Sequence, residues 1–296
     1  NQSVFTGAIT LLTDCQQVLQ LADVRCVIMG GWNALLYKRP ERVHPRTFDV
    51  DLLLPPKLER AAAETLIRTF LDCGFAQSAK HAFQLIREVN LAGNRFAYNV
   101  DLLHPFLESR YPEMFLDLLE FHVPLSDFDR STMNFSKSIV LPGIDQFIWA
   151  QHSTRTLSIV EAGARYEIKA LFPDPVAFVC SKALALGGPK RPRDAYDIFV
   201  TLEGQGVASC AAELYEIART SPTARRCLQN LRDYMKEMPR ERDGKKLEFV
   251  SSFQRNSFFN SLPPEVQWSY ITDANNVVNQ FLAETNHFPA GMEVHA

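Results

Sequence analysis

The chain is expected to be a mixed α/β protein: a small mixed sheet flanked by helices, followed by a helical carboxy-terminal part. Three observations predict this. Short apolar runs alternate with stretches of helical period as far as His104. Two alternating runs around the turn-forming residues 91–94 have the pattern of a β-hairpin. From residue 175 onward, the segments carry helical spacing almost without interruption.

Val4–Leu21 gathers apolar residues on one face and predicts an amphipathic helix. Residues 25–29 form a short apolar run, read as a buried strand that ends at Gly30 and Gly31. A helix is expected to open directly after them, over 32–37. The next strand spans 48–54 and is stopped by Pro55 and Pro56. Residues 58–72 are periodic and alanine-rich, a helix closed by Gly74. The hairpin arms fall at 83–89 and 95–103. Between 105 and 175 the signal weakens to short strands at 138–141, 157–160 and 166–172 and a helix at 145–151. Asp174 has the chemistry of an N-cap. Helices follow at 175–186, 193–202, 208–220, 223–238 and 265–285. The expected organisation is a core domain over 1–125, a connecting β-rich segment over 126–172 and a helical domain over 173–296.

Composition narrows the class. The 296 residues suffice for one large or two modest domains. Hydrophobic content of 46% with 22% charged residues is ordinary for a globular protein. No apolar run approaches the roughly 20 residues of a membrane span, and no secretory signal is visible. The six cysteines are scattered without Cys-x-x-Cys spacing, so zinc is not indicated and a reducing cytoplasm is the expected setting. The seven histidines show no metal spacing either. A net charge of −3 argues against a surface that grips nucleic acid all over, although it leaves a local basic groove open.

The chemistry concentrates at Asp49 and Asp51. Two residues apart on a strand, they share a face, with Val50 turned to the core. Their neighbours Phe48, Leu52, Leu53 and Leu54 predict a largely buried strand, where two carboxylates without a cation are costly. The plain alternative is a polar face turned to water. Hard oxygen donors at this spacing suit Mg2+ together with substrate phosphates, which points to phosphoryl or nucleotidyl transfer. Asp101, on the second hairpin arm, adds a third carboxylate, and three on neighbouring strands suffice for two metal ions. Gly30 and Gly31 make either a tight turn or a place where a phosphate can approach the backbone.

A glycine pair opening a helix, Asp49 and Asp51 on the next strand and Asp101 on a later one together resemble the nucleotidyltransferase superfamily related to DNA polymerase β. With Arg46 and Thr47 ahead of the aspartates, the text is similar to the AbiEii-type abortive-infection toxins. Ser181 and Lys182, then Arg193, Asp194 and Asp197, are similar to that family's helical motif, although Pro189 and Pro192 loosen the match. The resemblance implies an Mg2+-dependent enzyme using an NTP. Asp49, Asp51 and Asp101 would be metal ligands, and Gly30, Gly31, Arg46 and Lys182 would lie on the nucleotide. Asp194 and Asp197 would assist Lys182, and the helical part would close over the nucleotide. It further implies a macromolecular acceptor such as tRNA, a cognate antitoxin and no membrane partner. Other readings are an aminoglycoside-like small acceptor, a catalytically silent nucleotide-binding protein and a purely structural helical adaptor. His44, ahead of the aspartate strand, reads as a surface-loop residue more readily than as a triphosphate contact. Phe253, Phe258, Phe259, Trp268 and Tyr270 read as packing residues before base-stacking ones.

Overall fold

The computed structural model describes residues 4–78, 81–104, 115–117, 135–137, 139–140, 146–186, 193–236, 241–242, 245–246 and 249–286. The chain divides into two compact units, residues 1–36 with 46–173 and residues 37–45 with 174–296. The mixed α/β class and the helical carboxy-terminal part are both present.

The first unit starts with α1 (Val4–Leu21), β1 (Val27–Met29) and α2 (Trp32–Tyr37), then β2 (Asp49–Leu53), α3 (Arg60–Asp72) and β3 (Phe75–Gln77). The hairpin follows as β4 (Gln84–Leu91) and β5 (Asn94–His104). Its two-residue turn has Ala92 at φ 51° and Gly93 at φ 83°, the conformation that matches strand twist. Short strands β6 (Phe115–Asp117) and β7 (Phe135–Lys137) pair with each other, and β8 (Ile139–Val140) pairs with β5. After α4 (Gln146–Ala150) come β9 (His152–Glu161) and β10 (Ala164–Pro173).

The main sheet runs β3-β4-β5-β2-β1-β10-β9. The β2–β5 and β1–β10 pairs are parallel, and the other pairs on this path are antiparallel. The stretch expected as a connecting segment therefore supplies β9 and β10 to the main sheet. They form a long hairpin turned by Ala162 and Gly163, both at positive φ. Helices α1 and α3 contribute Ile9, Leu12, Leu66 and Phe70 to a core with Val50, Leu52, Leu85, Val100 and Leu102. Each of these is completely shielded, so burying them contributes roughly 1.5–3 kcal/mol apiece.

Three local expectations need correcting. β3 was not anticipated, since three residues carry too little pattern to register. The aspartate strand is not buried throughout: Phe48 is 45% exposed and Asp49 is exposed, whereas Val50, Leu52 and Leu53 are completely shielded. Asp174 does occupy the N-cap of its helix, but its side chain makes no capping hydrogen bond.

The second unit is helical. It holds α5 (Pro175–Ala185), α6 (Asp194–Gln205), α7 (Val207–Thr220) and α8 (Pro222–Met235). A two-stranded pair, β11 (Glu241–Arg242) and β12 (Lys245–Lys246), precedes α9 (Ser257–Asn260) and α10 (Pro264–Glu284). Residues 37–45 belong to this unit and are tied into it. The Arg42 guanidinium bridges Glu203 and Asp273 and lies over the Tyr270 ring, 4.5 Å from its centre. Tyr196 donates to the Val43 carbonyl, and the Val43 N–H donates to Tyr270 Oη at 3.0 Å. Phe253, Phe259 and Tyr270 are buried as packing residues, whereas Trp268 is 72% exposed on α10. Pro189, Pro192, His122, His287 and His295 lie outside the described residues. Among the described residues, no helix is long and apolar enough to cross a membrane.

Candidate functional site

The three sheet aspartates come together in register. Asp51 and Asp101 are direct partners on the parallel strands β2 and β5, and Asp49, opposite Asn99, lies two residues along the same face. Asp49 is exposed, and Asp51 and Asp101 are half-buried. Asp49 Oδ1 accepts a hydrogen bond from Thr47 Oγ1 at 2.8 Å. Asp101 Oδ1 accepts one from Gln84 Nε2, also at 2.8 Å. Neither carboxylate is ion-paired to a lysine or arginine among the described residues. Burial pushes the Asp101 carboxyl above its ordinary pKa. Gln84 opposes this, the charge of Asp49 adds to it and His81 opposes it.

The scaffold around them is specific. Gly30 sits at φ +76°, and a Cβ built there would overlap Asp51 Oδ2. The glycine thus serves the turn and makes room for the carboxylate. Asn33, fully buried, donates to the carbonyls of Ile28 at 3.0 Å and Gly30 at 3.2 Å, locking that turn. Trp32 Nε1 donates to the Asp49 carbonyl at 2.7 Å, and its ring stacks on Phe5. Arg46, at φ +67°, lies over the Phe5 ring and pairs with Glu161 at 3.0 Å. Gly31 opens α2, whose six residues give it only a small dipole to offer an anion.

Gly30→Ala is expected to lower stability by about 1–2 kcal/mol, the cost of a left-handed alanine. Displacement of Asp51 would come in addition. Denaturant unfolding measures the loss, and an unchanged midpoint would remove Gly30 from this role.

Lys182, Asp194 and Asp197 also come together, in the second unit. Lys182 Nζ lies 2.7 Å from Asp194 Oδ1 and 2.9 Å from Asp197 Oδ2. His44 Nε2 lies 3.0 Å from Asp197 Oδ1, and Arg193 Nε lies 3.4 Å from the same oxygen. The His44 and Asp197 side chains are completely shielded, so the surface-loop reading of His44 is replaced by a buried histidine–carboxylate pair. Burial alone would lower the Lys182 ammonium pKa, but Asp197 and Asp194 outweigh it and raise it. Burial likewise opposes ionisation of Asp197, yet Lys182, Arg193 and His44 hold its carboxyl well below the usual range. Lys182 is therefore the hub of an internal ion-pair network. A cavity of about 360 Å³ on this unit is lined by Arg39, Glu203, Ser209, Asp273, Asn276 and Gln280. Its two carboxylates are both engaged by Arg42.

Sequence reasoning overlooked Trp32, Asn33 and Gln84. Gln84 alone was within reach of it, because the hairpin register sets it opposite Asp101. No family model matches the chain, and no curated protein matches it in sequence.

Proposed function

We propose that the chain is an Mg2+-dependent nucleotidyltransferase, moving a nucleoside monophosphate from an NTP to an acceptor hydroxyl. Asp49, Asp51 and Asp101 are its metal ligands. The observation that carries this reading is the register of Asp51 against Asp101. Like charges directly opposite on paired strands are destabilising. The donors that hold Asp49 Oδ1 and Asp101 Oδ1, Thr47 and Gln84, are neutral and leave the charge of both carboxylates in place. Three carboxylates without a nitrogen or sulfur donor fit a hard divalent cation, and the room left by Gly30 keeps Asp51 Oδ2 on that face. Among the described residues, no three His, Cys, Asp or Glu side chains converge as a ready-made metal cage. Mg2+ commonly keeps several waters and takes substrate phosphates into its shell, so it needs fewer protein ligands than a closed cage.

Bound there, Mg2+ would neutralise charge on the transferring phosphate and acidify the attacking hydroxyl. The protein's own contribution is preorganisation. Thr47 and Gln84 each hold one carboxylate oxygen, while Trp32 and Asn33 fix the start of β2 and the glycine turn. No side chain is required as a covalent nucleophile. The resemblance to abortive-infection toxins supports RNA, tRNA in particular, as the acceptor and a cognate antitoxin as a partner.

The test is incubation with each labelled NTP, Mg2+ and total RNA, then identification of the molecule that gains label. Label on RNA, lost in EDTA, is expected. NTP binding without release of pyrophosphate would leave a silent nucleotide-binding protein instead.

A further inference from the structure

We propose that Gln84 is a positioning residue for Asp101: its amide holds one carboxylate oxygen without neutralising the charge, leaving the other for a divalent cation. This rests on the reading of the three aspartates as metal ligands. Gln84 and Asp101 are register partners on β4 and β5, and Gln84 Nε2 donates to Asp101 Oδ1 at 2.8 Å.

The backbone from which this side chain projects is held from both sides. The Gln84 N–H donates to the His81 carbonyl at 3.0 Å. The Gln84 carbonyl accepts from the Ser78 N–H at 2.9 Å and from Gln77 Nε2 at 3.0 Å. Gln77 is completely buried, and its Nε2 also faces the carbonyls of Ser78, His81 and Ala82 at 3.1–3.3 Å. One buried amide thus gathers the turn that leads into β4, and Gln84 projects from that anchored point.

The chemical type of the donor matters. A lysine or arginine opposite Asp101 would form an ion pair and consume the charge a cation needs. A carboxamide donates one hydrogen bond, favours the ionised carboxylate and leaves its net charge intact. Groups that orient metal ligands in this way typically change affinity 10–100-fold when removed.

Mn2+ binding to the protein without nucleotide, followed by electron paramagnetic resonance, tests the proposal. Gln84→Met keeps an unbranched side chain of similar length but loses the donor, and it is expected to weaken Mn2+ binding about 10–100-fold. Gln84→Lys restores a donor but brings a charge, and it is expected to weaken binding as well. A merely structural hydrogen bond would be rescued by the lysine. Glu88→Gln, further along β4, serves as the control and is expected to bind as wild type does. If wild type binds no Mn2+, the metal-site reading itself fails. If wild type binds, Asp101→Asn does not and either Gln84 variant binds normally, the role of Gln84 alone is overturned.

Discussion

Asp101→Asn is expected to lower kcat/KM for nucleotidyl transfer by roughly 10³-fold or more and, in the same protein without metal, to raise stability. The first effect follows from the several kcal/mol of transition-state charge stabilisation that a bound cation supplies, each 1.36 kcal/mol being about tenfold in rate. The second follows from the register. Asp51 faces Asp101 directly, and removing one of two like charges from a cross-strand pair returns about 0.2–1 kcal/mol. Asparagine Oδ1 still accepts from Gln84 Nε2, so the substitution removes charge with little change in hydrogen bonding. Adding Mg2+ at about 100 times its Kd is expected to stabilise the wild type by about 2.7 kcal/mol. The variant is expected to gain far less. Denaturant unfolding in EDTA and in Mg2+, beside the transfer assay, reads all of these. A variant that is less stable without metal yet retains transfer would remove Asp101 from the site.

The opposite signs separate this site from an ordinary polar sheet face. A surface aspartate chosen only for solubility would show no activity change and no gain on removal. Here a local sheet rule is broken where two carboxylates oppose each other across β2 and β5, and such breaches concentrate at functional sites.

What was legible in the sequence follows from the range of the interactions involved. Val4–Leu21 and Trp32–Tyr37 carry their period within themselves, and their helices have those bounds. The turn at Ala92 and Gly93 sets the β4–β5 register, so counting back from Leu91 and on from Asn94 reaches Gln84 and Asp101 together. That pairing is legible in the sequence. The parallel pairing of β1 with β10 was not available, because Val27 meets Leu171 through a contact that no local pattern encodes. His44 looked like a loop residue for the same reason: its partner Asp197 lies far along the chain. The long separation between Gly31 and Asp49 has a structural account. Residues 37–45 are part of the second unit.

That unit depends on Lys182 in a way that sequence motifs do not convey. Lys182→Met is expected to destabilise the protein by about 3–5 kcal/mol, the usual cost of leaving a buried charge without its partner. Asp194 and Asp197 would then face each other's charge in a shielded site, with Arg193 and His44 as the remaining neighbours of Asp197. The pH dependence identifies the cause. In the wild type, Asp197 titrates below its unfolded value of about 3.9, so its contribution is complete above that pH and is lost as pH falls through the lower folded value. His44, lowered by burial despite Asp197, stays neutral where the unfolded residue would protonate. Stability therefore also declines as pH drops below about 6.5. Lys182 is raised, so its contribution is present below about 10.4 and fades as pH climbs through the higher folded value. In Lys182→Met, Asp197 loses its largest opposing charge and burial then works against its ionisation, so it takes up a proton at milder pH. The deficit relative to wild type is therefore expected to narrow from about pH 8 to about pH 5. A deficit that stays constant across that range would mean that lost packing, rather than unpaired charge, is what the lysine prevents.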